Sequence, residues 1–179
     1  MSKRLVILGA GESGIGTALL AKQKGYEVFV SDGSTIKANF QKELEDNGIA
    51  FESGKHSVDQ ILNADEVMKS PGIPEKNEMV KAIRAKGIPV ISEIEFGYRY
   101  KGFSKIAAIT GSNGKSTATS LLYHICQLVN DDVAMVGNIG FSFARQIAIA
   151  PKSLYIIEVS SFQLDDIIHF KPDIAILLN

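Results

Sequence analysis

Short apolar runs and longer helix-forming stretches alternate along the first hundred residues. Five runs rich in aliphatic and β-branched residues are typical of buried strands: Arg4–Leu8, Glu27–Ser31, Ala50–Glu52, Glu66–Lys69 and Pro89–Ile91. Good helix formers occupy three stretches between them: Gly14–Lys24, Lys37–Asn47 and Glu78–Lys86. Two of these helices run into Gly25 and Gly87, since glycine can adopt the left-handed backbone conformation that closes a helix. The alternation predicts an α/β fold, a parallel sheet with helices on both faces.

A second series of apolar runs begins after residue 104. Its predicted strands are Lys105–Thr110, Val133–Val136, Leu154–Val159 and Ile174–Leu178, and a long helix is predicted from Lys115 to about Gln127. The polar and aromatic segment 98–102 ends in glycine, so we place a domain boundary there, with residues 1–102 in a first domain and 103–179 in a second. Because an apolar strand directly precedes residue 179, we expect the second α/β domain to be incomplete.

Composition and charge narrow the classes of function. With 179 residues and 45% hydrophobic content, the chain can build a globular core. Its 19 Lys and Arg against 20 Asp and Glu provide no extended basic surface for nucleic acid or an anionic membrane. No apolar run approaches the roughly 20 residues that cross a bilayer. The single Cys126 cannot form an internal disulfide. We therefore expect a cytoplasmic protein, without membrane insertion or nucleic-acid partner, that holds anionic ligands locally.

The first strand leads into a G-x-G-x-x-G loop, from Gly9 to Gly14, and then into a helix. In this context the glycines let the backbone approach a diphosphate, which binds the free N–H groups of the helix. Asp32 ends the second strand, where a Rossmann-like domain places an acidic residue against a ribose. The motif specifies the diphosphate alone, so an NAD(P) cofactor and another nucleotide remain equally open. Glu12 is expected to point away from the bound anion, because a carboxylate would repel it.

A second phosphate-binding pattern follows the strand 105–110. Its residues are Thr110, Gly111, Ser112, Asn113, Gly114, Lys115, Ser116 and Thr117. Backbone N–H groups in such a P-loop surround phosphates, Lys115 reaches the outer phosphates, and a hydroxyl of Ser116 or Thr117 completes a Mg²⁺ shell. Ile109 occupies the position of the usual first glycine. The pattern predicts a P-loop-type ATPase domain that binds a nucleoside triphosphate.

The sequence T-G-S-N-G-K-S-T of this loop resembles that of the Mur ligases, the ATP-dependent amide-forming enzymes of peptidoglycan precursor synthesis. Further segments are similar to that family in the same order: G-E-S-G at 11–14, S-P-G-I at 70–73, G-N-I-G at 137–140 and I-E-V-S-S-F-Q-L at 157–164. The resemblance covers the whole chain. The S-S-F-Q-L form and the short first domain are most similar to the D-glutamate-adding branch of the family.

The resemblance implies a function and a set of site residues. The first domain would bind the UDP moiety of UDP-N-acetylmuramoyl-L-alanine, and the whole enzyme, expected to be a monomer, would use ATP and Mg²⁺ to add D-glutamate through an acyl phosphate. The implied diphosphate and uridine residues are Gly11, Ser13, Gly14, Asp32, Gly33, Ser34, Ser70 and Gly72. Lys115 would bind the ATP phosphates, and Ser116, Thr117 and Glu158 would hold Mg²⁺. Lys115 and Glu158 would be catalytic, while Asn138, Ser160 and Gln163 would face the muramoyl-alanine end.

Two other functions remain open at this stage, an NAD(P)-dependent oxidoreductase and a non-catalytic nucleotide-binding module. The family's second metal ligand, its carbamylated lysine and its D-glutamate-binding domain come later than residue 179, so we expect this chain alone to be inactive. The three histidines share no metal-binding spacing. Cys126 is expected to be a small buried residue, and Phe141 and Phe143 are expected to pack in the core.

Overall fold

The computed structural model describes residues 2–179 and contains two parallel β-sheets flanked by helices. The first half comprises β1 (Arg4–Leu8), α1 (Glu12–Gln23), β2 (Glu27–Asp32), α2 (Ala38–Asp46), β3 (Ala50–Ser53), α3 (Val58–Ile61), β4 (Glu66–Lys69), α4 (Glu78–Ala85), β5 (Val90–Ile91) and α5 (Glu93–Tyr98). The second half comprises β6 (Lys105–Gly111), α6 (Lys115–Gln127), β7 (Val133–Gly137), α7 (Phe143–Ile149), β8 (Leu154–Glu158), α8 (Ser161–Leu164) and β9 (Ile174–Leu178). The α/β class and all nine predicted strands are confirmed.

The first sheet has the strand order β3-β2-β1-β4-β5, with every pair parallel. The chain builds outward from β1 through β2 to β3, and then returns to the other side of β1 with β4. Leu5 of β1 accordingly lies opposite both Val28 and Glu66. In open parallel sheets such a reversal opens a crevice at the carboxyl ends of the strands, where ligands bind. The loops after β1 and β4 meet at this crevice.

The second sheet has the order β7-β8-β6-β9, again all parallel. Ile109 of β6 lies opposite Glu158 of β8 and Ile176 of β9. Because the strands are parallel, the loops that follow β6, β7 and β8 emerge at one edge. These loops contain the P-loop, the 137–140 segment and the 160–163 segment.

One of three apolar core clusters joins the two sheets. Its buried side chains include Ile7, Phe96, Ile106, Phe143 and Tyr155, and the rings of Phe143 and Tyr155 meet edge to face at 4.9 Å. The helices α1, α5 and α7 lie at this junction. The two halves therefore share buried surface, and the prediction that Phe143 packs in the core is confirmed.

The structure corrects several details of the sequence prediction. Phe141 does not pack in the core: it is 52% exposed, and the Arg145 guanidinium lies 5.9 Å from its ring. The first helix begins at Glu12 instead of Gly14, since Gly11 serves as its N-cap. Helices α3, α5, α7 and α8 were not predicted, because four to seven residues show too little periodicity. Gly25 and Gly87 have the predicted positive φ angles, 81° and 73°.

The outer surface of the second half carries exposed apolar side chains. They are Leu121 and Ile125 on α6, the following Leu128 and Val129, and Ile174 and Leu177 on the edge strand β9. The opposite face of α6 packs on the sheet and includes the half-buried Cys126, so this prediction holds in part. None of the helices within residues 2–179 has the length and apolar character that a membrane span requires.

Candidate functional site

The P-loop connects β6 to α6 through two glycines in conformations that favour glycine. Gly114 has φ +79° and is the N-cap of α6, and Gly111 has φ +145°. A Cβ at Gly111 would overlap the carbonyl oxygen of Leu178 on the neighbouring strand. The backbone N–H groups of Ser112 and Asn113 donate to the carbonyl oxygen of Asn179 at 3.0 and 2.9 Å. The end of β9 thus fixes the course of the loop.

Lys115 lies in the first turn of α6 and folds back over the loop. Its Nζ donates to the carbonyl oxygen of Gly111 at 2.6 Å and to that of Ser112 at 3.2 Å. The exposed Ser116 and Thr117 follow it in the same turn. A cation and a helix N-terminus are therefore placed together, and both favour an anion at the start of α6.

Glu158 ends β8 and is buried, with 1% exposure. Its Oε1 accepts a hydrogen bond from Asn138 Nδ2 at 2.7 Å, whereas its Oε2 has no partner among residues 2–179. A buried, unpartnered carboxylate oxygen suits a hard divalent cation such as Mg²⁺. The part of the chain that the structure describes contains no group of three or more His, Cys, Asp or Glu residues able to hold a metal. Glu158 therefore fits a Mg²⁺ site that also needs hydroxyl and phosphate oxygens.

Asn138 and Ser160 lie where two clefts meet. The first cleft, of about 600 Å³, is lined by P-loop residues including Lys115. The second, of about 710 Å³, is lined from the first half of the chain by the turn that contains Pro71 and Gly72. Because Asn138 and Ser160 line both, the clefts join the P-loop to the first sheet.

Gln163, which was predicted together with Asn138 and Ser160, does not line either of the two clefts. It is 2% exposed, and its Oε1 accepts hydrogen bonds from the backbone N–H of Ser160 at 2.9 Å and from the Ser160 hydroxyl at 3.1 Å. In this structure the Gln163 side chain therefore shapes the turn that presents Ser160 to the clefts.

The diphosphate-type loop lies between β1 and α1. Gly14 has no room for a side chain, since a Cβ there would overlap the carbonyl oxygen of Gly9. Ser13 is in the first turn of α1, and its carbonyl oxygen accepts from the Thr17 hydroxyl at 2.8 Å. The carboxylate of Glu12 accepts from the Ser142 backbone N–H at 3.0 Å and from Arg145 Nε at 2.7 Å. Arg145 therefore offsets the negative charge that the sequence placed beside the loop.

Asp32 lines a cleft of about 300 Å³ and makes hydrogen bonds to two of the loops around it. Its Oδ2 accepts from the Ala10 N–H at 2.7 Å, and its Oδ1 accepts from the Ser34 N–H at 2.8 Å and hydroxyl at 2.7 Å. Partial burial acts to raise the pKa of Asp32, but these donors and the charge of His56 outweigh burial and lower the pKa. Asp32 is thus ionised at neutral pH and holds the first loop against Ser34.

The remaining predicted residues of the first half surround the same crevice. Ser70 donates from its hydroxyl to the carbonyl oxygen of Gly9 at 3.3 Å, which joins the loops after β4 and β1. Gly72 lines the cleft shared with Asn138. Gly33 packs against the His56 ring, where a Cβ would lie 2.9 Å from Nε2.

Sequence reasoning did not include several residues that line the clefts. Lys37 and Phe40 line the Asp32 cleft, and Lys76 and Phe162 line the cleft shared by the two halves. Lys37 could have been found from its place as the N-cap of the helix that follows Asp32. Phe162 belongs to the segment 157–164 that the sequence singled out, so that segment could have indicated it. Phe40 and Lys76 give no local pattern that separates them from ordinary surface residues.

The fold and the two glycine-rich loops define a two-sheet α/β protein of the kind that binds ligands at strand carboxyl ends. Residues 3–92 match the model of the Mur ligase MurD-like N-terminal domain, and residues 109–179 match that of the Mur ligase middle domain. The chain belongs to the Mur ligase family. This assignment accounts for both loops, whereas the oxidoreductase alternative accounted only for the first.

The chain is similar over its whole length to proteins named UDP-N-acetylmuramoylalanine--D-glutamate ligase. It is 56% identical over 180 residues to the one from Cytophaga hutchinsonii, which covers 100% of this chain and 40% of that protein. It is 53% identical over 177 residues to the one from Bacteroides fragilis, covering 99% and 40%. The chain thus spans about 40% of the length of these relatives.

A solved structure with the same fold is the UDP-N-acetylmuramate:L-alanyl-gamma-D-glutamyl-meso-diaminopimelate ligase from Neisseria meningitides. It superimposes with a TM-score of 0.64 at 23% identity and covers 99% of this chain and 60% of that one. At this identity the similarity concerns the fold.

Proposed function

We propose that this chain is the amino-terminal part of an ATP-dependent ligase that adds D-glutamate to UDP-N-acetylmuramoyl-L-alanine in peptidoglycan precursor synthesis. The observation that carries the proposal is the pair of joined clefts, because Asn138 and Ser160 line both. A substrate that extends from the first sheet can therefore reach the P-loop. The names of the relatives, at 53–56% identity, support this substrate and this amino acid.

The first half binds the UDP moiety in this proposal. The backbone N–H groups at Gly11, Ser13 and Gly14 face the diphosphate at the N-terminus of α1, where the helix dipole favours an anion. Asp32, Gly33, Ser34, Ser70 and Gly72 hold the uridine. Asp32 already accepts hydrogen bonds from both flanking loops, so its main contribution is to keep the pocket in shape. Arg145 pairs with Glu12 and so offsets the negative charge that would otherwise repel the diphosphate.

The second half binds ATP. Residues 111–117 surround the phosphates, and Lys115 exchanges its bonds to the loop carbonyl oxygens for bonds to phosphate oxygens. The alanyl carboxylate attacks the γ-phosphorus of ATP and ADP leaves, which gives an acyl phosphate. The amine of D-glutamate then attacks the acyl carbon, phosphate leaves, and the nitrogen loses a proton as the amide bond forms. Two anions must approach each other in the first step, so cationic and amide groups have to offset their repulsion.

Glu158, Ser116 and Thr117 would hold Mg²⁺ in this site. The ion, when bound, neutralises developing charge on the phosphate oxygens. Asn138 holds Glu158 Oε1 and leaves Oε2 for the metal. Lys115 and Glu158 are thus the proposed catalytic residues of this part of the enzyme, and Asn138, Ser160 and Gln163 contact or shape the muramoyl-alanine end.

We also propose that the chain divides into a UDP-binding domain, 1–102, and the first part of an ATP-binding domain, 103–179. The two separate sheets support this division. The full-length enzyme is proposed to be a cytoplasmic monomer. The 179-residue chain by itself is expected to bind the UDP substrate weakly and to release no phosphate.

Isothermal titration calorimetry on the full-length protein tests the proposal. UDP-N-acetylmuramoyl-L-alanine and ATP-Mg²⁺ are expected to bind, NADH is not, and phosphate release is expected to require D-glutamate. Ser70→Ala is expected to weaken binding of the UDP substrate alone, and Lys115→Met is expected to weaken binding of ATP alone. Each variant therefore serves as a folding control for the other. Binding of NADH, or turnover without D-glutamate, contradicts the proposal.

A further inference from the structure

Four charged side chains form a cluster where the two halves of the chain meet. Lys69 Nζ lies 3.1 Å from Asp166 Oδ2 and 3.2 Å from Glu75 Oε1. Arg84 contacts the other oxygens of both acids, at 2.6 Å from Asp166 Oδ1 and 2.8 Å from Glu75 Oε2. The side chains of Lys69 and Asp166 are only 3% and 4% exposed. The cluster thus has a buried ion pair at its centre and partly exposed partners at its rim.

The buried pair joins two segments that line the same cleft. Lys69 ends β4, and its Nζ also donates to the carbonyl oxygen of Ile73 at 3.2 Å, which closes the turn 70–73 over the lysine. Asp166 comes two residues after α8, the short helix capped by Ser160. Its backbone carbonyl accepts from the Ser92 N–H at 2.9 Å, which anchors this segment to the first half. Pro71 and Gly72 from one segment, and Ser160 and Phe162 from the other, line the cleft between the halves.

We propose that the Lys69–Asp166 ion pair is a positioning device that sets the turn 70–73 against the 160–164 segment, and so fixes the cleft that receives the UDP-linked substrate. This inference rests on the proposed function for the identity of that substrate. Both residues are positioning residues, because they act on the cleft through the backbone segments that they hold.

The chemistry of the cluster explains why an ion pair serves this purpose. A buried charge that loses its partner is strongly destabilised, so the pair tolerates only arrangements in which both charges meet. Apolar packing between the same segments is less directional and would permit sliding. The exposed pair of Lys42 and Asp46, at 72% and 59% exposure, imposes no such constraint on anything outside its own helix.

Asp166→Asn in the full-length ligase tests the inference, since it removes the charge and keeps the shape. Asp46→Asn, in the exposed pair, is the matched control. The KM for UDP-N-acetylmuramoyl-L-alanine is expected to rise about tenfold in Asp166→Asn, while the KM for ATP stays within about twofold. Lys69→Met is expected to raise the same KM. The variant with both substitutions is expected to have a KM no higher than that of the more impaired single variant, because the two groups act as a unit.

Hydrogen exchange supplies a readout that does not depend on the proposed function. The Ile73 N–H donates within the turn, to the carbonyl oxygen of Ser70, and the Ser92 N–H donates to the backbone carbonyl oxygen of Asp166. Both amides are expected to exchange at least about tenfold faster in Asp166→Asn and unchanged in Asp46→Asn. If the wild-type protein has no ligase activity, the proposed function fails and the exchange rates still decide whether the pair holds the turn.

Three results would overturn the inference. The first is an Ile73 amide that exchanges in Asp166→Asn at the same rate as in the wild-type protein. The second is an equal increase, in that variant, of the KM for the UDP substrate and the KM for ATP. The third is a lower kcat in that variant with both KM values unchanged. If Asp166→Asn does not fold, Arg84→Gln takes its place, since Arg84 is 43% exposed and its loss removes one of the two cations that hold the Asp166 carboxylate against Lys69, which loosens the buried pair. That variant is expected to raise the KM for the UDP substrate about threefold, and an unchanged KM then contradicts the inference.

Discussion

Two buried glutamates differ in their hydrogen bonds, so the same substitution is expected to have opposite effects on stability. Glu158 and Glu95 are 1% and 0% exposed. Glu95 Oε2 accepts three backbone N–H bonds, each of 2.9 Å, from residues 168–170. Glu95 Oε1 has no hydrogen-bond partner within residues 2–179, but it lies 3.6 Å from Arg99 Nε. Glu158 accepts one hydrogen bond, from Asn138, and its Oε2 has neither a hydrogen-bond partner nor a cation beside it within the described chain. Glu95 therefore stabilises the fold, whereas Glu158 is held at a cost to the fold.

The magnitudes follow from these contacts. Glu158→Gln keeps an acceptor for Asn138 and removes a buried, poorly paired charge. We expect this substitution to raise the free energy of unfolding by about 1–2 kcal/mol in metal-free buffer. Glu95→Gln weakens three charge-assisted hydrogen bonds and is expected to lower the free energy of unfolding by about 2–3 kcal/mol.

The pH dependence of Glu95 provides an additional check. Burial acts to raise the pKa of Glu95, but the three N–H donors and Arg99 outweigh burial and lower the pKa below its ordinary value of 4.5. Its contribution is therefore present above pH 4.5 and is lost as the pH falls through the lowered value.

Urea unfolding of both variants without metal, together with calorimetric titration of ATP-Mg²⁺ into the full-length protein, tests this prediction. Glu158→Gln is expected to be more stable and to bind ATP-Mg²⁺ at least about tenfold more weakly, because a residue that serves binding at a cost in stability shows both effects when it is replaced. Glu95→Gln is expected to be less stable, with its ATP affinity unchanged. A Glu158→Gln variant that is destabilised, or that binds ATP-Mg²⁺ normally, refutes the reasoning.

Three further predictions concern the junction of the halves, the P-loop and the core. Burial, together with the charge of Glu12, raises the pKa of Glu93 from 4.5 to about 7, against the lowering effect of two backbone N–H donors. The contribution of protonated Glu93 to the free energy of unfolding is thus complete below pH 4.5 and is lost as the pH rises through about 7. The loss is on the order of 3 kcal/mol. Urea unfolding at a series of pH values over this range should show this decrease in the wild-type protein and not in Glu93→Gln. Lys115→Met removes the cation over the P-loop and is expected to weaken ATP binding at least about a hundredfold by calorimetry, with the melting temperature little changed because the side chain is only half-buried. Phe143→Ala empties a fully buried site between the sheets and is expected to cost about 3–5 kcal/mol in the free energy of unfolding, while Phe141→Ala, at a 52% exposed position, is expected to cost less than about 1 kcal/mol.

Much of this molecule could be predicted from local patterns. The strands are short apolar runs, and their alternation with helices allows essentially one arrangement, a parallel sheet. Residues 9–14 and 111–117 could be identified because a strand, a glycine turn and a helix N-terminus are consecutive in the chain. The prediction that Glu158 follows a buried strand has the same origin, and its burial confirms that part.

The elements that the sequence did not reveal depend on contacts between distant residues. Glu12 meets Arg145, 133 positions away, and Lys69 meets Asp166. The prediction for Phe141 was wrong because α7 begins at Phe143 and directs only that ring into the core. In a short helix the direction of each side chain is set by the surface on which the helix packs.

The sequence by itself determined the two parallel sheets and the two glycine-rich loops, because those features arise from residues adjacent in the chain. Only the tertiary structure decided how the halves meet, which oxygen of Glu158 lacks a partner, and which charges are paired at the junction. These properties depend on burial and distance, and both are set when separate segments pack together.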